Sequence, residues 1–373
     1  MAASKSSSQE KSRILIACGG TGGHLFPGIA VGEMLEARGH KVTLLISEKK
    51  IDSLAASSHS GMSFEKMPFL AMPKPWSPKM ISFLLGSWRG LKQCRKMIRD
   101  RKINVVLGMG GFTSTAPVMA GRMEKIRTFI HDSNAIPGKA NRLTARFADV
   151  VLLGFEACAS FFPKKETRVT GTPVRSALRI AAQEGKDNPH VFFNLKPDRK
   201  TLLVVGGSQG ARGVNNVVMQ SLNQLDTLGL QILHITGPAD YKDVRDAYQG
   251  KEIALRSHVA AFCHRMELAY QIADVALARS GASTLAELAF FGVPSILVPF
   301  PFAADDHQTK NAEIFSNGGA AVMIPQSDLS PEVLTDTVGD ILRNKNKHDA
   351  MRKATRAMSC DDAAERIAWI IVE

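Results

Sequence analysis

The chain has 373 residues, 45% hydrophobic and 22% charged, which is enough for two cores and is a globular rather than a disordered composition. Its 47 Lys and Arg exceed 35 Asp and Glu by a net charge of +12, which favours an anionic partner: a nucleic acid, a membrane surface or a phosphorylated substrate. Five scattered cysteines with no CxxC pair argue against a structural zinc and for a reducing compartment, and no apolar run approaches the ~20 residues that span a bilayer.

Residues 1–12 are Ser-rich and polar, without the apolar segment of a signal peptide, and are expected to form a disordered tail. A strand is expected over 13–18 (RILIAC), followed by a glycine loop at 19–23 and a helix over 29–38 that ends at Gly39. Further strands are expected over 41–47, 104–107, 128–131 and 150–153, with a second glycine loop at 108–111. Between Lys74 and Lys102, nine basic residues face a single acid, Asp100, and are interleaved with Trp76, Phe83, Leu84, Leu85 and Trp88. Cations beside aromatic and aliphatic side chains suit a segment lying at a lipid headgroup boundary; the plainer alternative is a buried helix with a solvated basic face. No reader motif accompanies the charge, which argues against nucleic acid.

The scheme then restarts. A strand over 201–205 leads into the loop GGSQGARG at 206–213, and later strands are expected over 231–236, 274–278 and 295–299. Two strand–glycine loop–helix starts in one chain indicate two α/β domains with parallel sheets, joined by a linker between Pro173 and Pro197. A last helix is expected over about 361–372 and can pack on either domain.

Four clusters carry chemistry. In GGTGGHLFPG, glycines let backbone N–H groups approach a ligand, and His24 sits at the positive end of the following helix. That location keeps a histidine neutral, as a general base must be, though the ring can also serve merely as a cap. The loop is neither GxGxxG nor a P-loop. GGSQGARG gathers N–H groups, the Ser208 hydroxyl, Gln209 and Arg212 in a pattern suited to phosphate. In RSGASTLAEL, a helix beginning at Ser283 or Thr284 offers free N–H groups to a phosphate, with Glu287 one turn on. Glu287 can there accept from two ribose hydroxyls, or complete an ordinary capping box. In DDHQTKNA, Gln308 and Asn311 lie three apart on a helix and can reach sugar hydroxyls; the acids and His307 lack the further ligands of a metal site.

GGTGGHLFPG, GMGGF, HDSNAIPGKANR, TGTPVR, GGSQGARGVN, RSGASTLAEL and DDHQTKNA follow one another in a single order. Together they resemble the undecaprenyl-diphospho-muramoylpentapeptide β-N-acetylglucosaminyltransferase family, from about Arg13 to the C-terminus. The resemblance implies a GT-B fold, two Rossmann-like domains facing a cleft, and inverting transfer of GlcNAc from UDP-GlcNAc to the C4 hydroxyl of lipid I. It implies an acceptor and membrane domain over 13–175, joined by a C-terminal helix over about 356–373, and a UDP-GlcNAc domain over 176–355. The enzyme is then peripheral on the cytoplasmic side of the inner membrane, with an anionic lipid surface as partner and no cofactor or metal.

By the same resemblance, Glu287 meets the ribose, and Ser208, Gln209, Ser283, Thr284 and Arg175 surround the phosphates. Phe262 and Cys263 recognise the base, and Gln308 and Asn311 hold GlcNAc. Thr21, Gly22 and Gly23, with the loop at 108–111, receive the acceptor diphosphate, while His24 and Asn134 face the reacting centre, His24 being the better base. Asp132, Ser133, Thr172 and His307 depart from the family pattern. A UDP-GlcNAc 2-epimerase of the same fold and a non-catalytic UDP-sugar-binding protein remain as alternatives; a nicotinamide dehydrogenase fits the first glycine loop poorly.

Overall fold

Short apolar runs alternating with helices can bury both faces of a parallel sheet, and the chain does so twice. The structure, a computed structural model, describes residues 11–49, 52, 56, 59, 61–68, 79–185, 187–207, 210–250 and 255–373. The first half contains β1 (Arg13–Ala17), α1 (Gly22–Ala37), β2 (Lys41–Ile46), β3 (Ser63–Lys66), α2 (Lys79–Asp100), β4 (Val105–Gly108), α3 (Phe112–Met123), β5 (Arg127–Asp132), α4 (Lys139–Thr144), β6 (Val150–Leu153) and β7 (Glu166–Val169). The second half begins with α5 (Ser176–Glu184), α6 (Pro189–Phe192), β8 (Thr201–Val205), α7 (Arg212–Asp226), β9 (Gln231–Ile235), α8 (Tyr241–Gln249), β10 (Arg256–Ala260) and α9 (Met266–Ile272). It continues through β11 (Val275–Ala278), α10 (Ala282–Phe291), β12 (Ser295–Leu297), α11 (His307–Asn317), β13 (Ala321–Met323), α12 (Pro331–Arg343), α13 (Lys345–Ala357) and α14 (Ala363–Val372).

The sheets have the orders β3-β2-β1-β4-β5-β6-β7 and β10-β9-β8-β11-β12-β13. All their pairings are parallel. The order reverses between β1 and β4 in one sheet and between β8 and β11 in the other, which opens a crevice at the carboxyl ends of those strands. The glycine loops after β1, β4 and β8 and the RSG turn after β11 all fall at these two crevices.

Each sheet is covered on both faces by buried aliphatic clusters. The last helix returns to the first half: Ala364, Ile367, Ala368 and Ile371 are buried beside Leu25, Ile29, Phe129 and Leu152. Between the halves, the stretch read as a linker is ordered where described, since Leu178, Phe193 and Leu195 are buried in the second core.

Strands β3, β7, β10 and β13 have no counterpart among the sequence expectations, and all four are sheet edges. An edge strand is half solvated, so SFEK and ETRV lack the continuous apolar run of a central strand. Helix α1 also starts seven residues earlier than the pattern suggests, because two glycines and Pro27 mask its first two turns. Pro27 has no N–H to give the carbonyl of Gly23, four residues back. That carbonyl is left open at the mouth of the cleft.

Two buried histidines give the fold an acid limit. Burial lowers His131 to about 4, opposed by its contact with the Gly171 carbonyl, and lowers His234 to about 3. The unfolded chain binds protons at these rings near their ordinary 6.5, so between about pH 6.5 and 4 it holds more protons than the folded chain. Stability must therefore fall as pH drops through this window and be flat in these groups above it. Urea midpoints measured at pH 7.5, 6 and 5 should decline in that order, with the decline reduced in His234→Gln.

Candidate active site

Helix α1 places His24 in its first turn, where its N–H bonds the Thr21 carbonyl at 3.1 Å. The half-buried ring lies over the Gly110–Gly111 backbone: a Cβ on Gly110 would stand 2.9 Å from both Cδ2 and Nε2. Gly110 has φ +113° and Gly111 φ +72°, so glycine is required there by conformation as well as by space. Thr21 Oγ1 is 3.2 Å from His24 Nδ1, and Nε2 has no hydrogen-bond partner among the described residues. Burial lowers the imidazole pKa to about 4, with the Asp52 charge opposing and Lys49 adding to the effect. The ring is therefore neutral at physiological pH, as a base requires.

The loop under His24 is pinned from the side. Buried Asp52 accepts from Gly20 N and Ser47 N, each at 2.8 Å, and from Ser47 Oγ at 2.5 Å. Thr113 Oγ1 donates to the Gly19 carbonyl at 2.9 Å, tying the two glycine loops together.

Across the crevice, α10 begins one to two residues earlier than expected, with Gly281 as its N-cap and no side-chain cap. Its first-turn N–H groups, including those of Ser283 and Thr284, have no intrahelical acceptor. Ser283 Oγ donates to the Gly23 carbonyl at 3.4 Å, the group that Pro27 leaves open. Glu287 is not the partner of a capping box. Its buried carboxylate accepts from Arg175 Nε at 2.9 Å and from Tyr270 Oη at 2.8 Å. Arg175 stands at the start of α5, with its guanidinium 5.1 Å from the Phe26 ring of the first half.

Asn311 is fully buried, and its amide joins the halves. It accepts from Ala135 N at 2.8 Å and donates to Asn134 Oδ1 and the Ser280 carbonyl, each at 3.1 Å. Gln308 Oε1 accepts from Phe300 N at 3.0 Å. Phe262 is exposed and Cys263 buried, in the turn after edge strand β10. Gly22 and Gly23 lie in the first turn of α1, while Ser208 and Gln209 lie outside the described residues. No group of three or more metal-binding side chains occurs among the described residues.

Three contributors escaped the sequence reading. Asp132, noted only as a departure, accepts from Asn134 N, Gly138 N and Asn141 Nδ2 and so shapes the whole loop that presents Asn134. Its place before Ser-Asn and Pro-Gly is an Asx-turn signal that could have found it. Asp52 and Tyr270 act across long sequence separations and leave no local signal.

Beside α3, an apolar groove of about 320 Å³ is lined by Met67, Phe83, Leu84, Trp88, Phe112 and Leu143. Phe112 directly follows the glycine loop under His24, so the groove opens next to the crevice.

Residues 14–153 match the glycosyltransferase family 28 N-terminal domain and residues 201–367 its C-terminal domain. A Gloeothece citriformis protein named UDP-N-acetylglucosamine--N-acetylmuramyl-(pentapeptide) pyrophosphoryl-undecaprenol N-acetylglucosamine transferase is 35% identical over 96% of this chain and 95% of its own. The chain belongs to this transferase family. The crystal structure of Acinetobacter baumannii MurG superposes with a TM-score of 0.74 at 27% identity, covering 96% of this chain and 99% of that one. The fold is thus the two-domain GT-B arrangement. A UDP-GlcNAc 2-epimerase from Neisseria meningitidis shares it at 12% identity, with a TM-score of 0.69 over 95% of this chain and 98% of that one. That likeness concerns the fold alone.

The packing of His24 on glycine gives the transferase a specific sensitivity. Gly110→Ala must push the ring off its seat and raise its pKa from about 4 toward the ordinary 6.5 as water reaches it. With His24 as the base, the role proposed below, turnover should fall about 100-fold with the donor KM little changed, and the acid limb of the pH–rate profile should move upward. Steady-state kinetics from pH 4.5 to 8 measure both.

Proposed function

We propose that the chain is the inverting transferase that moves GlcNAc from UDP-GlcNAc to the C4 hydroxyl of lipid I, giving lipid II for peptidoglycan synthesis. The observation that carries this reading is the contact of Ser283 Oγ with the Gly23 carbonyl, which brings a phosphate-binding helix start of one half against the His24 loop of the other. A donor on the second half and an acceptor on the first then meet at one point.

The reaction is a single displacement at the anomeric carbon. The acceptor C4 oxygen bonds to C1 as the bond from C1 to the UDP oxygen breaks. His24 takes the acceptor proton, and Asn134, held by Asp132, orients the sugar beside it. The free N–H groups of α10 and the guanidinium of Arg175 meet the charge growing on UDP. Ser208 and Gln209 complete the phosphate cradle, Phe262 and Cys263 meet the base, Glu287 the ribose, and Gln308 and Asn311 the GlcNAc hydroxyls. Thr21, Gly22 and Gly23 receive the acceptor diphosphate.

UDP release from UDP-GlcNAc, with and without a lipid I analogue, tests the reading: release should require the lipid. Epimerisation without acceptor, or binding without release, would remove it. His24→Ala should lower kcat by about 10² to 10⁴ while leaving the donor KM within a few-fold. Glu287→Ala should do the reverse, raising the donor KM.

The same reading places the enzyme peripherally on the cytoplasmic side of the inner membrane. No described helix is long and apolar enough to cross a bilayer. Leu84, Leu85 and Trp88 are more than half exposed on α2, beside Arg89 and Lys92. Apolar side chains entering the acyl boundary next to cations is the expected interfacial arrangement. Sedimentation with phosphatidylglycerol vesicles should show binding that salt weakens, and Trp88→Ser should weaken it roughly tenfold, the scale of one large apolar side chain. Equal binding to neutral vesicles, or an indifferent Trp88→Ser variant, would remove the placement.

A further inference from the structure

We propose that Tyr270 is the positioning residue that aims the Glu287 carboxylate at the donor ribose, and that it thereby sets the preference of the site for ribose over deoxyribose. The inference rests on the proposed place of Glu287 at the ribose.

Glu287 lies in the second turn of α10 with its carboxylate buried. Its two oxygens have different partners. Oε1 receives the Arg175 guanidinium at 2.9 Å, and Oε2 receives the Tyr270 hydroxyl at 2.8 Å. Ionised carboxylates accept about four hydrogen bonds, so two sites remain for a diol.

The two partners differ in what holds them. Arg175 comes from the connection between the halves and touches Phe26 of the first half, so its position follows the opening of the cleft. Tyr270 belongs to α9, within the same half as Glu287. Its ring is 3% exposed and stacks on Phe291 with centroids 5.2 Å apart and planes at 28°. Phe291 is four residues beyond Glu287 on α10, so ring and carboxylate are referenced to one face of one helix. Tyr270 thus keeps its hydroxyl on Oε2 whether the cleft is open or shut, whereas Arg175 can be drawn to a diphosphate. Burial, and next to it the Glu287 charge, hold the phenol pKa well above its usual range, so it remains a donor.

Without the hydroxyl, Oε2 loses its fixed partner. The planar fork of Arg175 can then take both oxygens together, a geometry guanidinium and carboxylate favour. The carboxylate then turns away from the ribose.

The test is calorimetric titration of UDP and 2′-deoxy-UDP into the full chain and its Tyr270→Phe variant, with kcat measured at saturating UDP-GlcNAc. The wild-type protein should bind UDP roughly tenfold tighter than 2′-deoxy-UDP, the worth of a hydrogen bond to a charged group. In Tyr270→Phe this ratio should fall toward one, mainly through weaker UDP binding, while kcat stays within about threefold. Tyr270→Phe combined with Glu287→Gln should lose no more ribose preference than Glu287→Gln alone. A variant that keeps the wild-type ratio, or weakens both nucleotides equally, makes Tyr270 a packing residue and overturns the proposal. A wild-type protein indifferent to the 2′-hydroxyl removes Glu287 from the ribose and the proposal with it. Ribose preference without GlcNAc transfer overturns the reaction proposed above and leaves the role of Tyr270 standing.

Discussion

A parallel sheet sends every strand the same way, so the loops at its carboxyl ends and the helices that start there share one edge. Here two such edges meet. Helices α1 and α10 begin on opposite sides of one gap, each with first-turn N–H groups that no carbonyl of its own helix can satisfy. Two positive helix ends in one cleft are unfavourable unless an acceptor stands between them. Pro27 supplies one, because the helix bond it cannot make frees the Gly23 carbonyl, which accepts from Ser283 at 3.4 Å. A proline that reads as a helix defect is thus tied to the joining of the halves. On the proposed reading, the diphosphates of donor and acceptor are the anions that these two helix starts call for.

The same logic explains why the cleft is knitted by its own side chains. Ser283, Glu287 and Asn311, the second-half groups assigned to the donor, each bond a residue of the first half or of the connection. Buried polar atoms left without partners cost about 1–3 kcal/mol each, and these groups satisfy one another across the cleft. On the proposed reading, a donor entering the site therefore exchanges hydrogen bonds rather than adding them. Its net affinity depends on groups such as Gln308 and the helix N–H groups, where its gain is larger. Asn311 is the most committed member: both ends of its amide are engaged, and contact with a sugar requires the 134–135 loop to withdraw.

What the sequence revealed follows from what local pattern can encode. Central strands such as RILIA and TLLVV are buried on both faces and announce themselves as apolar runs. Edge strands β3, β7 and β10 are partly solvated and carry no such run, while β13 is apolar but only three residues long. The glycine loops were visible because close approach leaves no other residue possible: a Cβ at Gly19 would stand 2.3 Å from Ser47 N. Residues acting over distance were not visible. Asp52 pins a loop 32 positions away, and Tyr270 reaches 17 positions to Glu287, spacings that no helix or strand period marks. Asp132 stands out in the sequence only as an exception to a family pattern, yet its carboxylate supports the whole loop.

Charge shows how the count and the geometry diverge. The basic run through α2 looks uniform in sequence, but its members have different duties. Arg95 and Arg99 both clasp Glu124, and Arg101 pairs with Glu65, so three of these cations are bound to the fold. Glu124 is held down to about 2 by those hydrogen bonds and stays ionised across the physiological range. Arg89 and Lys96 form no ion pair among the described residues, and Lys92 rests 3.5 Å over the Trp88 ring. Leu85, Trp88, Arg89, Lys92 and Lys96 recur at helical spacing, so one exposed stripe grades from apolar at its start to cationic further on. A stripe neutralised within the protein would suit a core; one left unpaired beside an apolar groove suits a charged lipid boundary. The Arg–Glu124 pairs keep the helix on the body of the protein and leave its other face exposed, the face that the proposed reading gives to the membrane.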